Sequence, residues 1–289
     1  MTFRDTVYEY YKLTKPGIIR GNVMTAIAGF FFASYGNYDW ILLLWLVVGI
    51  SLIIASACVL NNYIDRDIDK RMERTKNRAL VTGSIRTAHA MIYASVLGVI
   101  GYSLLFVHTN LITTVIGFVG MFFYIVLYGY YKRRSVHGTL IGGVSGSTSL
   151  VAGYCAVIGH FDWIALVLFI IMALWQMPHF YAIGLYRKKD YEEAGLPIFP
   201  VVYGVTKTKK HILWYIIAFS LSAILLAFAP TVGVTYIASM IIVCTLWLRL
   251  AIKGLTAKDT IKYGHQIFGQ SLVVLLVFSI AISLTYYLP

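Results

Sequence analysis

Nine stretches of this 289-residue chain are apolar for roughly 20 residues, the length of helix that crosses a bilayer, and most of the connections between them are short. They can be read at about 18–36, 41–61, 88–107, 111–130, 139–158, 162–185, 211–229, 231–250 and 267–287. In hydrocarbon each backbone N–H and C=O must find its partner within the segment, so every run is expected to be an α-helix. The fold class this implies is all-α: a polytopic membrane bundle of about nine transmembrane helices, organised as one unit over 1–289 with no second domain. The charged fraction of 12% points the same way, since a soluble domain carries about 25%. The count rests on short connections at Gly36–Trp40, His108–Asn110 and Pro230, where fusion of neighbouring runs would reduce it to eight or seven.

The distribution of charge fixes the expected orientation. All 24 Lys and Arg fall before run one, in its first turn (Arg20), after runs two, four, six and eight, or at the end of run eight (Arg249). The opposite connections, Tyr35–Asp39, His108–Asn110, Gly159–Asp162 and the C-terminus, hold none. The positive-inside rule then places the N-terminus in the cytoplasm and the C-terminus outside, in a multi-pass protein of the cell (cytoplasmic, inner) membrane. The same segregation accounts for the net charge of +12 and leaves no case for nucleic acid as a partner. Met1 to Lys15 has no short apolar core ending at a small-residue cleavage site, so no cleaved signal peptide is expected. Cys58, Cys155 and Cys244 sit singly inside apolar runs and read as core residues.

The densest charge lies in Asn61-Asn62-Tyr63-Ile64-Asp65-Arg66-Asp67-Ile68-Asp69-Lys70-Arg71-Met72-Glu73-Arg74-Thr75-Lys76-Asn77-Arg78. If the helix of run two continues into it, Asn61, Asp65 and Asp69 share one face and Asp67 points elsewhere. An amide and two carboxylates form a set of hard oxygen donors, suited to Mg²⁺ shared with a substrate phosphate. The competing reading is a solvated loop whose acids pair with its own arginines. A second polar segment, Tyr186–Lys210, has a similar plan, with Tyr186 and Asp190 four apart and Glu192 and Glu193 behind. Four runs separate the two segments, as an internal duplication would place them, so that they face each other across the bundle. The cytoplasmic active-site segments are therefore expected at about 61–87 and 186–210.

Bases complement these acids. Lys132 and Arg133 follow Tyr128 by four and five residues, Lys15 precedes Pro16, and Arg78 closes the first segment. Each could bind a diphosphate or simply anchor its helix at the lipid headgroups. Together with Mg²⁺ they would permit ionisation of an allylic diphosphate, with the dry bundle interior shielding the carbocation until an electron-rich acceptor attacks. The 22 Tyr and 16 Phe could face such a cation, although interfacial aromatic belts are their ordinary explanation. His137, close to Lys132, could touch the diphosphate. His179, within run six and after Pro178, is an ionisable group inside the membrane; it could bind a haem iron or hydrogen-bond to a neighbouring helix.

The block from Asn61 to Arg78, the run Trp175-Gln176-Met177-Pro178-His179-Phe180 and the run Asp190-Tyr191-Glu192-Glu193-Ala194-Gly195-Leu196-Pro197 closely resemble the protohaem IX farnesyltransferases (haem O synthases). That family belongs to the UbiA-type intramembrane prenyltransferases, and the likeness covers nearly the whole chain. The resemblance implies a nine-helix bundle whose cytoplasmic cavity joins farnesyl diphosphate, Mg²⁺ and haem b, the last as substrate rather than cofactor. The product would be haem O, with a hydroxyethylfarnesyl side chain. It maps Asn61, Asp65 and Asp69 onto the superfamily's first metal-binding motif, Tyr128 and Lys132 onto its tyrosine–lysine diphosphate contact and Lys15-Pro16 onto its basic-Pro pair. With the residues read above, the expected site has metal ligands Asn61, Asp65, Asp69 and Asp190, catalytic residues Asp65, Asp69 and Lys132, and diphosphate contacts Lys15, Asn61, Arg78, Tyr128, Lys132 and Arg133. No haem ligand common to the family can be read from the sequence, and His179 stands as the hypothesis for haem contact. A terminal oxidase or a haem A synthase is the partner expected for the product.

Two positions depart from the pattern. Tyr186 stands where the superfamily usually has an aspartate, which leaves fewer carboxylates for a second Mg²⁺, and Ala79 replaces a frequent proline. The competing functions are a prenyltransferase acting on a quinone precursor, an ion-coupled transporter and a haem-binding assembly factor. The transporter reading is opposed by acids that cluster at the cytoplasmic helix ends, and the assembly factor leaves Asp65 and Asp69 unexplained.

Overall fold

The computed structural model describes residues 2–229 and 232–288. In chain order its helices are α1 (Phe3–Leu13), α2 (Pro16–Ser34), α3 (Trp40–Asp69), α4 (Ala79–Thr82), α5 (Thr87–His108), α6 (Leu111–Phe122), α7 (Gly129–Tyr131), α8 (Gly138–Ile158), α9 (Trp163–Tyr186), α10 (Lys188–Glu193), α11 (Phe199–Val202), α12 (Gly204–Leu225), α13 (Val234–Gly254) and α14 (Thr260–Leu284). A π-helical turn, Phe123–Tyr128, joins α6 to α7. Among the described residues nine helices are long and apolar enough to cross a membrane, and no strand occurs. The seventh and ninth start earlier than the apolar runs, at Gly204 and Thr260, because their first turns carry Lys207, Lys209, Lys210, Lys262 and His265 ahead of the apolar stretch. The turn expected at Pro230 lies outside the described residues.

Side-chain caps set several starts at the end of the bundle that lacks bases. Asp39 accepts from the Ile41 and Leu42 N–H groups, Asn110 from Thr113 and Asp162 from Ala165, which satisfies donors that the first helical turn leaves free. α3 packs along α5 and α2 along α8, while α9 is surrounded by α8, α12 and α14. Small residues permit the closest of these approaches. A Cβ on Gly153 of α8 would run into the Ala26 carbonyl of α2, and one on Gly29 of α2 would run into the Leu150 carbonyl of α8.

The main core runs through Phe30, Leu150, Leu168, Phe219, Trp247 and Phe278, all essentially inaccessible. A smaller apolar cluster, Leu13, Val59, Ala79, Leu80, Ile85, Ala90 and Ala94, fastens α1 and α4 to α3 and α5. It thereby holds the charged segment after α3 against the bundle. All three cysteines are buried, Cys155 and Cys244 within the main core. Many large apolar side chains, Val99, Phe118 and Ile242 among them, face outward; a helix apolar on every side belongs in a membrane.

Candidate active site

α3 is 30 residues long and continues past its apolar part, so Asn61, Asp65 and Asp69 do form one stripe at the basic end of the bundle. Two of the three are almost fully buried, Asn61 and Asp69. Across from them the chain turns sharply from α1 into α2 at Lys15, whose φ of +51° is in the left-handed region. Proline follows in the first turn of α2. A non-glycine residue held in that conformation is strained, and such residues concentrate at functional sites. Two contacts secure the corner: Lys15 Nζ donates to Asn61 Oδ1 at 2.6 Å, and Asn62 Nδ2 donates to the Leu13 carbonyl at 2.8 Å.

The third wall is the π-helical turn. π-Bulges inside α-helices are frequent at functional sites, and this one stacks the rings of Tyr124 and Tyr128 with centroids 5.9 Å apart and planes 10° apart. Lys132, four residues after Tyr128, lies with its ammonium 4.9 Å from that ring and forms a buried ion pair with Asp65. Arg78 is bonded to Asp69 at 2.6 Å. Burial holds Lys132 below the usual lysine range although Asp65 opposes it, and burial pushes Lys15 down to about 8.

These groups ring the mouth of a cavity of about 680 Å³, within the size range of small-molecule sites. Its interior is mostly apolar. One wall carries Ile50, Ile53, Ile54 and Met121; another carries Trp175, His179, Phe180, Phe268 and Leu272. Gln176 lies in the floor, donating to the Gly143 carbonyl at 2.9 Å and to Ser147 Oγ at 3.0 Å. Across the mouth, Arg74 donates to the Tyr191 hydroxyl at 3.2 Å, so the segments after α3 and α9 meet there as expected.

Of the site residues expected from sequence, Lys15, Asn61, Asp65, Asp69, Arg78, Tyr128, Lys132 and His179 line this one cavity. Arg133 and Asp190 do not line it. One residue past Lys132, the chain has turned about 100°, and the Arg133 guanidinium binds both oxygens of Asp67, at 2.8 and 3.0 Å, and the Ile64 carbonyl, while staying 3.8 Å from Asp65 Oδ1. That contact holds the Asp67 carboxyl below its usual range. Asp190 sits in α10, a short helix that begins after a break at Arg187, and pairs with Arg187 at 3.4 Å. Glu192 and Glu193 pair with Lys188 and Lys189. The second acidic patch is thus neutralised by its own bases, and Tyr191 takes its place at the cavity. His137 lies exposed outside it.

Among the described residues no group of three or more His, Cys, Asp or Glu side chains gathers as a cage for a metal. Mg²⁺ does not require one, since it is commonly held by one or two carboxylates while water and substrate phosphates complete its shell. Asp65 and Asp69 on one helical face, with the Asn61 amide above them, fit that demand in number and in chemistry.

Four further residues take part. Tyr124 carries the signal of standing four residues before Tyr128, and Tyr191 that of adjoining Asp190. Gln176 and Ser271 are ordinary polar residues inside apolar runs, and only the packing of α9 on α8 and α14 gives them partners.

Comparison with known proteins agrees with this geometry. The profile of the UbiA prenyltransferase family matches residues 22–272. A protohaem IX farnesyltransferase of Citrobacter koseri is 44% identical over 282 residues, 97% of this chain and 95% of that protein. Among solved structures, a digeranylgeranylglyceryl phosphate synthase superposes with a TM-score of 0.81 at 17% identity, covering 98% of this chain and 99% of that one. A UbiA homologue of Archaeoglobus fulgidus bound to GPP and Mg²⁺ superposes with a TM-score of 0.70 at 13% identity, covering 95% and 99%. The two structures share the fold, and the sequence match over nearly all of both chains sets the relationship: this chain belongs to the UbiA prenyltransferase family, within its branch of protohaem IX farnesyltransferases.

Proposed function

We propose that the protein transfers the farnesyl group of farnesyl diphosphate to a vinyl group of haem b, with addition of water, in a Mg²⁺-dependent reaction that yields haem O and diphosphate. The observation that supports this best is a single cavity in which a mouth of Lys15, Asn61, Asp65, Asp69, Arg78 and Lys132 opens onto apolar and aromatic walls. A charged mouth suits a diphosphate, and a dry interior suits a C15 chain and a porphyrin. Positive segments at the same end of the bundle support a mouth on the cytoplasmic side of the cell membrane. The whole span 1–289 serves as one catalytic unit.

The reaction breaks the bond between C1 of the farnesyl chain and the diphosphate oxygen. Lys15, Arg78 and Lys132 take up the negative charge that develops on the leaving group, Lys132 and Arg78 turning from their carboxylates toward phosphate. Asp65 and Asp69, with Asn61, would hold Mg²⁺, which when bound supplies further neutralisation of the diphosphate. The stacked faces of Tyr124 and Tyr128 lie beside the emerging allylic cation. The apolar walls keep bulk water from quenching it. C1 then bonds to the terminal carbon of the vinyl group. The carbon next to the ring accepts a water oxygen, and that water loses a proton. His179 contacts the haem. A terminal oxidase or a haem A synthase would receive so apolar a product.

The test is turnover of detergent-purified protein with haem b, farnesyl diphosphate and Mg²⁺, followed by the mass of the haem. Formation of hydroxyethylfarnesyl haem that EDTA and Asp65→Ala abolish is the expected result. Release of diphosphate with unchanged haem would move the acceptor to a quinone precursor or another aromatic ring. No diphosphate release with any acceptor would favour the transporter.

A further inference from the structure

His179 sits in a network whose proton positions are determined by its partners. Ser271 of α14 is inaccessible to solvent. Its hydroxyl donates its one hydrogen to the Phe268 carbonyl at 2.6 Å. The same oxygen lies 2.8 Å from His179 Nδ1. With the hydroxyl hydrogen already committed, Ser271 Oγ is an acceptor toward the imidazole, so Nδ1 carries the proton and Nε2 is left with its lone pair. Among the described residues Nε2 has no hydrogen-bond partner, and it is not among the polar atoms sealed from the cavity.

The ring itself is held firmly. It stacks on Trp175 with centroids 4.9 Å and planes 27° apart, and lies against Phe268 at 4.8 Å. Trp175, one turn earlier on α9, donates its indole N–H to the Ser271 carbonyl at 2.8 Å. Two hydrogen bonds from α9 to one residue of α14 therefore fix both the plane of the imidazole and its tautomer. A lone pair presented this way has two uses, as a base or as a metal ligand. A base must carry positive charge after taking its proton, and here Nδ1 faces a neutral hydroxyl rather than a carboxylate, with aromatic rings on the other sides. A neutral ligand has no such need.

We propose that His179 Nε2 is an axial ligand to the iron of the haem substrate, and that Ser271 is the positioning residue that holds it in the Nδ1–H tautomer. The inference rests on the proposed haem reaction and adds to it how the acceptor is recognised: through its metal as well as its ring. Outer hydrogen-bond partners of a ligating histidine change metal affinity by about 10–100-fold, and Ser271 occupies that place.

The experiment is titration of the detergent-purified full chain with ferric haem b and, separately, with metal-free protoporphyrin IX, read by absorption and electron paramagnetic resonance. Wild type should bind haem at least about tenfold more tightly than the metal-free ring and show the signature of a nitrogen ligand. His179→Ala should erase that preference and the signature while keeping its affinity for protoporphyrin IX, which reports an intact cavity; added imidazole should restore the signature. Ser271→Ala should lower haem affinity about tenfold and alter the signature, leaving protoporphyrin IX binding unchanged. The proposal is overturned if His179→Ala retains the wild-type haem spectrum, or if wild type binds both rings equally. In that last case farnesylation of haem by the same preparation would show that the reaction stands and only the ligand assignment has failed. Failure to bind either ring would remove both.

Discussion

Asp65 and Lys132, brought together from α3 and the end of the π-bulged helix, form an ion pair in which the side chains are only 15% and 9% exposed. Breaking such a pair by removing one partner leaves a charge in a poor solvent and costs about 3–5 kcal/mol. Lys132→Met and Asp65→Asn should each lower thermal stability in detergent, and the double substitution should be less destabilised than the sum of the two. Diphosphate release should fall at least about 100-fold in each, including the double variant, because it restores neutrality without restoring the chemistry. Recovery of activity in the double variant would mean that the pair is purely structural.

Asp69 is committed to Arg78 on one side and faces the cavity on the other. Chelation by EDTA should reduce turnover to background, and Mg²⁺ should restore it. Asp69→Asn keeps the side-chain volume and removes a hard anionic donor, so the Mg²⁺ concentration for half-maximal rate should rise about tenfold or more. An unchanged Mg²⁺ dependence would remove Asp69 from the metal's ligands.

Burial brings Lys15 from 10.5 to about 8, so its charge disappears as pH rises through 8 rather than near the usual lysine value. Affinity for an unreactive farnesyl diphosphate analogue should therefore decline above pH 8, and Lys15→Arg, whose guanidinium stays charged, should flatten the decline. The stability effect has the opposite sign. Between 8 and 10.5 the unfolded chain binds more protons at this position than the folded one, so the contribution of Lys15 to stability rises with pH. Weaker binding without loss of thermal stability in that window is the combined signature.

Much of this site was legible because it is made of local helical spacing. The stripe Asn61, Asp65, Asp69 and the Tyr128–Lys132 pair needed only a continuous helix, and α3 and the π turn provide it. Spacing alone does not give the fate of a side chain that depends on one more residue of rotation or on a helix break. Arg133 is carried to Asp67, and Asp190 is turned back onto Arg187. Ser271 could not be found from sequence, since its only distinction is the residue facing it from α9. The seventh and ninth membrane helices start before their apolar runs, because hydropathy marks where lipid begins and not where helical hydrogen bonding begins.

Arg74 and Tyr191 join the two polar segments over the mouth by one hydrogen bond and by the position of the guanidinium 5.5 Å from the ring. Tyr191→Phe removes the hydrogen bond alone, a loss of about 1 kcal/mol. The KM for farnesyl diphosphate should rise several-fold with kcat nearly unchanged. Arg74→Ala removes both contacts and should raise KM further. A fall in kcat with constant KM in Tyr191→Phe would instead place the hydroxyl in the chemical step.

The reciprocal approach of Gly29 and Gly153 makes the sharpest prediction about packing. On α8, a methyl at position 153 meets a backbone carbonyl of α2 rather than a side chain that could rotate away. Relief requires α2 and α8 to separate, and both helices line the cavity, α2 also carrying Lys15 at its start. Gly153→Ala should thus cost about 3 kcal/mol, the upper part of the overpacking range, and should reduce turnover along with thermal stability. Gly143, ten residues earlier on the same helix, has nothing within 4 Å of the methyl it would gain. Gly143→Ala should be neutral or stabilising by about 0.5–1 kcal/mol through helix propensity alone. Equal melting temperatures for the two variants would show that the interface between α2 and α8 yields freely, and would remove the argument that glycine is required at position 153.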